Sequence, residues 1–134
     1  ANGDITSPTA AQSVLAQTGA AGVMIGRAAQ GNPWIFRTVN HCPLHSSATS
    51  PSPILRSEAI ETVLHHLEGI YALYGQEAGV RIARKHFAWY LLTLTPEVAG
   101  DCRKQFNQVY TTQEQLQIAQ NLFEHYNPLE DQAA

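Results

Sequence analysis

The hydrophobic positions of the chain follow two different patterns, one on each side of a proline-rich stretch. In the first part, the short apolar run Gly22-Val23-Met24-Ile25 is typical of a buried parallel strand. A helix is predicted before it, because Thr6-Ser7-Pro8 offers a hydroxyl cap and a proline at the first helical position, and this helix should stop near Gly19. Another helix should begin around Pro33-Trp34. The order predicts one α/β repeat whose first strand is missing.

The second part of the chain has helical spacing throughout. Gly75 stands at a C-cap position, and Thr95-Pro96 should end the next helix. The helices are predicted over Arg56 to Tyr74, Glu77 to Leu94, Glu97 to Tyr110 and Thr112 to Tyr126. The domain organisation is therefore predicted as an α/β end over 1–40, a linker over 41–55, a helical domain over 56–126 and a tail over 127–134.

The predicted helix from Glu77 to Leu94 has two apolar sides with a basic stripe between them. The larger side is predicted to contain Val80, Ala83, Phe87, Tyr90, Leu91 and Leu94, and the smaller one Ile82, His86 and Trp89. Arg81, Arg84 and Lys85 form the stripe, at i, i+3 and i+4 spacing. Such a helix should be packed on both sides, and His86 is expected to be a packing residue.

Composition narrows the class of protein. Hydrophobic residues make up 44% of the 134 residues and charged ones 14%, which is typical of a globular chain. No window of 18 apolar residues is present, so no membrane span is expected. Cys42 and Cys102 match no disulfide spacing, which favours a reducing, cytoplasmic setting. His41, Cys42 and His45 have no fourth ligand nearby, so no metal site is predicted.

The net charge of −3 argues against a nucleic-acid partner for the chain as a whole, but the charges are unevenly distributed. Between residues 81 and 104 there are five cations (Arg81, Arg84, Lys85, Arg103 and Lys104) and only two acids (Glu97 and Asp101). A local basic face on an acidic chain is therefore possible.

Two glycine turns carry the candidate chemistry of the first part. Asn2-Gly3-Asp4 and Met24-Ile25-Gly26-Arg27 each have the character of a strand end that turns into a helix. Paired turns of this kind hold one phosphate in barrel enzymes, through backbone N–H groups at helix N-termini. Each turn taken alone is more often an ordinary tight connection, and only the two together favour the phosphate site. Asp4 is expected to cap the following turn or to orient a loop, and Trp34 and Phe36 to anchor the core.

The segments Ala1-Asn2-Gly3-Asp4-Ile5-Thr6 and Met24-Ile25-Gly26-Arg27-Ala28-Ala29-Gln30-Gly31-Asn32-Pro33-Trp34-Ile35-Phe36 resemble the end of the flavin barrel in tRNA-dihydrouridine synthases. Gly79-Val80-Arg81-Ile82-Ala83-Arg84-Lys85-His86, continuing to Trp89-Tyr90, resembles the helical domain of the bacterial B type. The resemblance implies an α/β plus all-α fold: the last βα units of a TIM (β/α)8 flavin barrel, followed by a C-terminal helical bundle.

The resemblance also implies a function, namely FMN-dependent reduction of uridine to dihydrouridine in tRNA with NADPH as hydride donor. It implies cofactor-binding roles for Asn2, Gly3, Asp4, Gly26 and Arg27. The family's catalytic cysteine belongs to an earlier part of the barrel, so no catalytic residue is expected in this chain. We therefore expect the chain to be the C-terminal part of a longer enzyme and to be inactive alone.

The helical domain is implied to hold tRNA, with Arg81, Arg84 and Lys85 as the RNA-binding residues. From spacing alone, a solvated helix face with ordinary ion pairs is the alternative, and Arg84 lies near enough to the apolar side to be structural. Two other functions stay open: another FMN- or phosphate-binding barrel oxidoreductase, and a non-catalytic RNA-binding helical module. The oligomeric state is not predicted.

Overall fold

The computed structural model describes residues 1–40 and 53–125, which form two compact units, one within Ala1–Pro53 and the other within Ile54–Ala134. Most of the predicted linker, Tyr126 and the predicted tail lie outside the described residues. No helix in the described part of the chain is both long and apolar enough to cross a membrane.

The first unit is built from short helices around a small core. Helix α1 (Pro8–Thr18) begins as predicted, since the Ala10 N–H donates to Ser7 Oγ at 3.1 Å. A 3₁₀ helix (Arg27–Ala29) and α2 (Ile35–Asn40) follow, and α2 contacts both α1 and the 3₁₀ helix. The buried apolar side chains of this unit are Ile5, Ala11, Trp34 and Ile35.

The predicted buried strand at Gly22–Ile25 is wrong as an extended element. Within the described residues of this unit, sheet pairing is limited to one parallel bridge between Asn2 and Met24, and the Met24 side chain is 57% exposed. A buried parallel strand needs neighbours along both edges and cover on both faces. Among the described residues, the Gly22–Ile25 run pairs only with the segment around Asn2, so the run remains exposed to solvent. Phe36, expected in the core, is 46% exposed, whereas Trp34 is buried as predicted.

The second unit consists of α3 (Arg56–Leu94), α4 (Ala99–Gln108) and α5 (Thr112–His125). Helix α3 is interrupted at Gly75, whose φ of 73° and ψ of −178° are not helical. A side chain rarely adopts this conformation, so glycine permits the break that the sequence predicts here. The helical segments 56–74 and 76–94 therefore correspond to the two separate helices expected.

The two segments of α3 fold back on each other as an antiparallel hairpin. A Cβ placed on Gly79 would lie 3.1 Å from Tyr71 Cδ1, and the rings of His66 and His86 are 5.0 Å apart between centroids. In a straight helix, twenty residues would separate the two histidines by about 30 Å. The contacts pair residues at growing distances from Gly75, as only a hairpin allows.

The core of the second unit is formed by one face of each α3 segment together with α4 and α5. The predicted larger apolar side of 76–94 is confirmed, since every residue assigned to it is buried. Phe87 on this side stacks on Phe106 of α4, with ring centroids 4.1 Å apart. The core residues on segment 56–74 are Ala59, Val63, Leu67 and Ile70. Their spacing of three and four residues places them on a single face of the helix.

Polar contacts fix α5 against the rest of the unit. The fully buried Gln115 donates through Nε2 to the carbonyl oxygens of Val80 (3.2 Å) and Phe106 (3.4 Å). Its Oε1 accepts from the Tyr71 hydroxyl at 2.8 Å. At the other end of α5, the Arg56 guanidinium donates to the last helical carbonyls, including that of Phe123 at 2.9 Å. One buried side chain therefore connects both α3 segments, α4 and α5.

Thr111 and Glu114 form a reciprocal capping box at the start of α5. The Glu114 N–H donates to Thr111 Oγ1 at 3.2 Å, and Glu114 Oε2 accepts from the Thr111 N–H at 3.2 Å. The hydrogen bond from the Thr111 side chain lowers the pKa of the Glu114 carboxyl below its ordinary value. Helix α5 thus begins where the sequence predicts.

Candidate functional site

The two glycine turns lie side by side in the first unit. The parallel bridge joins Asn2 to Met24, and the Met24 N–H donates to the Ala1 carbonyl at 2.8 Å. This pairing brings the turns together around an open pocket of about 370 Å³, which is lined by Asn2, Gly3, Asp4, Met24, Gly26 and Arg27. All five residues that were assigned to the cofactor by resemblance therefore line one pocket.

The backbone of both turns leaves room for a ligand group. A Cβ built on Gly3 or on Gly26 would meet no atom within 4 Å. Gly26 directly precedes the 3₁₀ helix Arg27–Ala29, whose first N–H groups have no carbonyl partner within the helix. The Ala29 N–H donates to the Gly26 carbonyl at 3.0 Å, and the open space beside the Arg27 and Ala28 N–H groups suits a phosphate.

Asp4 and Arg27 form an ion pair across the two turns, and their side chains are 73% and 80% exposed. Asp4 does not cap α1, because Ser7 does. The ion pair joins the first turn to the second. This agrees with the other role expected for Asp4, which is to orient a loop. A pair so exposed adds little stability. The guanidinium is therefore available to exchange a carboxylate for another anion.

The basic stripe of α3 lies in a groove between α3 and α4, with a volume of about 430 Å³. We call this the basic groove; it is lined by Arg81, Arg84, Lys85, Ala88, Trp89 and Leu92 of α3 and by Arg103 and Asn107 of α4. Four of these side chains are cationic and none is acidic. Sequence reasoning noted the charge of Arg103 but did not place it here, because that requires the antiparallel packing of α3 and α4.

The three stripe residues are not equivalent. Arg81 and Lys85 are exposed, whereas Arg84 is half-buried. Arg84 Nη2 donates to the Val109 carbonyl at 3.3 Å, and the guanidinium carbon lies 5.6 Å from the centroid of the Tyr110 ring. Arg84 thus has the structural contacts that the alternative interpretation anticipated, while it also lines the groove.

The two lysines of this region differ in their contacts. Lys104 pairs with Asp101, with 3.8 Å between Nζ and Oδ1, and it does not line the groove. Lys85 Nζ lies 4.9 Å from the centroid of the Trp89 ring, so its charge covers one side of the indole.

His86 occupies the aromatic cluster between the α3 segments. Its ring contacts His66 and also Trp89, whose centroid is 5.1 Å away, while His66 Nδ1 lies 2.9 Å from the Tyr90 hydroxyl. Burial lowers the pKa of His66 below 6.5, and burial, His66 and Lys85 lower that of His86. These contacts agree with the predicted packing role of His86.

Neither a metal site nor an activated thiol is found in the described residues. No group of three or more potential metal ligands occurs there, and His41, Cys42 and His45 lie outside them. Burial and the nearby Asp101 carboxylate raise the pKa of the Cys102 thiol, which opposes formation of the nucleophilic thiolate. Cys102 therefore does not have the environment of a reactive cysteine.

Comparison with known proteins adds independent information. The model of the dihydrouridine synthase family matches residues 1–127. The tRNA-dihydrouridine synthase B of Proteus vulgaris is 43% identical over 126 residues, which are 94% of this chain and 38% of that protein. The protein of the same name from Pseudomonas putida is 49% identical over 115 residues, 86% of this chain and 33% of that protein. The chain thus spans little more than a third of the length of these relatives.

Proposed function

The chain belongs to the dihydrouridine synthase family, and we propose that it is the C-terminal part of an enzyme that reduces uridine to dihydrouridine in tRNA. The proposal is supported by relatives whose names state this activity and by the two sites, one suited to a phosphate and one to a polyanion. In this proposal, residues 1–40 complete a TIM barrel and the second unit is its appended helical domain. The setting is the cytoplasm, where tRNA is modified.

The pocket between the glycine turns is the proposed place of the FMN phosphate. Gly3 and Gly26 permit close approach of the backbone, and the N–H groups at the start of the 3₁₀ helix donate. Arg27 neutralises phosphate charge, Asp4 positions the Arg27 side chain, and Asn2 offers an amide donor. When bound, FMN that NADPH has reduced would supply hydride to the uracil ring.

The role of this chain in the reaction is to bind and orient, because the proposal assigns the catalytic cysteine to the preceding barrel. Arg81 and Lys85 are proposed to contact tRNA phosphates, since they are exposed and lie in a groove without acids. Arg84 adds its charge to the groove and holds the connection between α4 and α5 through Val109.

The activity is tested on the purified full-length protein. We expect the absorbance of a flavin and NADPH-dependent formation of dihydrouridine in unmodified tRNA. Gly26→Val should lose most of the bound flavin, because the added side chain enters the open pocket and is strained at φ −104° and ψ −98°. Gly22→Val, whose Cβ also meets nothing within 4 Å but lies outside the pocket, is the control. A colourless, inactive protein that still binds tRNA would instead favour a non-catalytic RNA-binding module.

The tRNA contact is tested by the double variant Arg81→Ala/Lys85→Ala of the same protein. Its affinity for tRNA should fall, and the slope of log K against log salt should decrease by about 1 for each phosphate contact that is lost. Lys104→Ala removes a neighbouring charge that does not line the groove and should leave both quantities unchanged. Unchanged affinity and slope in the double variant would overturn this role.

A further inference from the structure

The basic groove is lined by apolar and neutral polar side chains as well as by cations. Its charged side chains are accompanied by an apolar wall of Ala88, Trp89 and Leu92 on α3. Leu92 is 65% exposed and Trp89 is half-buried. Ala88 is also half-buried, so the apolar wall is partly exposed. Charge alone is enough to contact the phosphates of a duplex, and an apolar wall beside the cations adds a surface on which a base can pack.

The register of α3 against α4 determines where the cations of the groove lie relative to its apolar wall. Phe87 stacks on Phe106, and Arg84 bonds to Val109, so α4 runs antiparallel to segment 76–94. In this register Arg103 stands opposite the part of α3 that includes Trp89 and Leu92. The groove therefore has the Arg81–Lys85 cations at one end and Arg103 beside its apolar wall, over a length of about 16 Å from Arg81 to Leu92.

Two buried polar atoms of groove residues have no hydrogen-bond partner in the described part of the chain: Arg84 Nε and Asn107 Oδ1. Buried polar groups are nearly always paired, so such atoms call for an explanation. Both residues line the groove, and a ribose or a base carries donors and acceptors that could pair with them after a small movement of the side chains.

Aromatic and guanidinium surfaces also extend the groove at the Arg84 end. The Tyr110 ring, which has the Arg84 guanidinium on one side, is 76% exposed. Cations interleaved with aromatic rings are the usual surface for unpaired nucleotides, whose bases stack while their phosphates lie on the cations.

We propose that the basic groove holds an unpaired nucleotide of the RNA, with its own phosphate and those of its neighbours on Arg81, Lys85 and Arg103 and its base against Trp89 and Leu92. The inference deepens the proposed contact with tRNA and rests on it. It distinguishes an unpaired segment of the RNA from its duplex stems as the part that the helical domain recognises.

The test compares the affinity of the full-length protein for a single-stranded 12-nucleotide RNA and for a 12-base-pair RNA duplex. Leu92→Ser should weaken binding of the single strand, and Trp89→Ala should weaken it by at least about fivefold. Both variants should leave duplex binding unchanged. Leu73→Ser is the matched control, because Leu73 is a 75%-exposed leucine of α3 outside the groove. Leu92 is exposed, so its variant tests the proposal even if Trp89→Ala impairs folding.

The outcomes separate this inference from the proposed function. Equal losses for single strand and duplex, or no loss with either groove variant, would overturn the unpaired-nucleotide site while Arg81→Ala/Lys85→Ala still weakens tRNA binding. If the charge variant is also without effect, the tRNA contact itself fails. If the groove is instead covered by another protein, every groove variant should leave RNA binding unchanged.

Discussion

His66 shows how a single residue couples the hairpin of α3 to pH. It is half-buried, its Nδ1 lies 2.9 Å from the Tyr90 hydroxyl, and its ring contacts His86, beside Lys85. Burial holds the pKa of His66 below 6.5, so the unfolded chain binds a proton first as the pH falls. The stabilisation is complete above about pH 6.5 and is lost as the pH falls toward the folded-state pKa.

We therefore expect the urea midpoint of the wild-type protein to fall between pH 7 and pH 5, and His66→Gln to reduce that fall. Glutamine keeps a polar partner for Tyr90 but does not titrate. The same substitution at the neighbouring, exposed position, His65→Gln, is the matched control for the change of residue type. An identical fall in His66→Gln and wild type would show that His66 is not responsible.

For single residues, the sequence predicts which side chains share a site better than it predicts which partners they contact. The five residues assigned to the cofactor by resemblance lie together, and the Ser7 cap is where the pattern places it. The pairing of Asp4 with Arg27 was not predicted, because it depends on the bridge between two segments that are distant in sequence. The exposure of Phe36 was missed for a similar reason, since helical spacing gives a face but not what covers it.

Among the elements, the hairpin of α3 depends most on one position. Gly75→Ala should lower the stability by about 1–3 kcal/mol, because a residue with a Cβ is strained at φ 73° and ψ −178°. Gly69→Ala is the control, since Gly69 is helical and a Cβ there meets nothing within 4 Å. It should stabilise by about 0.5–1 kcal/mol. Thermal unfolding that shifts in the same direction for both variants would contradict this account of the turn.

Gln115 joins the elements of the second unit through hydrogen bonds rather than through shape. Gln115→Leu removes the hydrogen bonds to the Val80 and Phe106 carbonyls and leaves the half-buried Tyr71 hydroxyl without its acceptor. We therefore expect a loss of about 1–3 kcal/mol in chemical denaturation. Adding Tyr71→Phe removes the orphaned hydroxyl and should recover part of this loss. A double variant that is less stable by the sum of the two single losses would indicate no coupling between the residues.

The helices could be predicted because the spacing of apolar residues within each helix determines its buried face. The burial of the strand could not be predicted from its own residues. The larger apolar side of Glu77 to Leu94 follows from the spacing of its residues alone, and the structure buries all of them. The run Gly22–Ile25 has the composition of a buried strand, but burial of a strand is decided by neighbours, and the described residues supply only the bridge to Asn2.

For the whole molecule, the central claim is that this chain completes an enzyme whose barrel lies before it. The chain matches the family model over residues 1–127, and it covers 33% to 38% of the length of the two relatives compared above. The family resemblance assigns the catalytic cysteine to that preceding barrel. In the proposed function, the first unit contributes to binding of the cofactor phosphate and the second unit to binding of RNA.

The most direct measurement is the dihydrouridine content of tRNA from cells in which the gene for the full-length protein has been deleted. We predict that dihydrouridine disappears from at least one position of the tRNA and returns when the full-length protein is supplied. Return should be impaired with Arg81→Ala/Lys85→Ala and normal with Lys104→Ala. An unchanged dihydrouridine pattern in the deletion strain, at every position of every tRNA, would contradict the account.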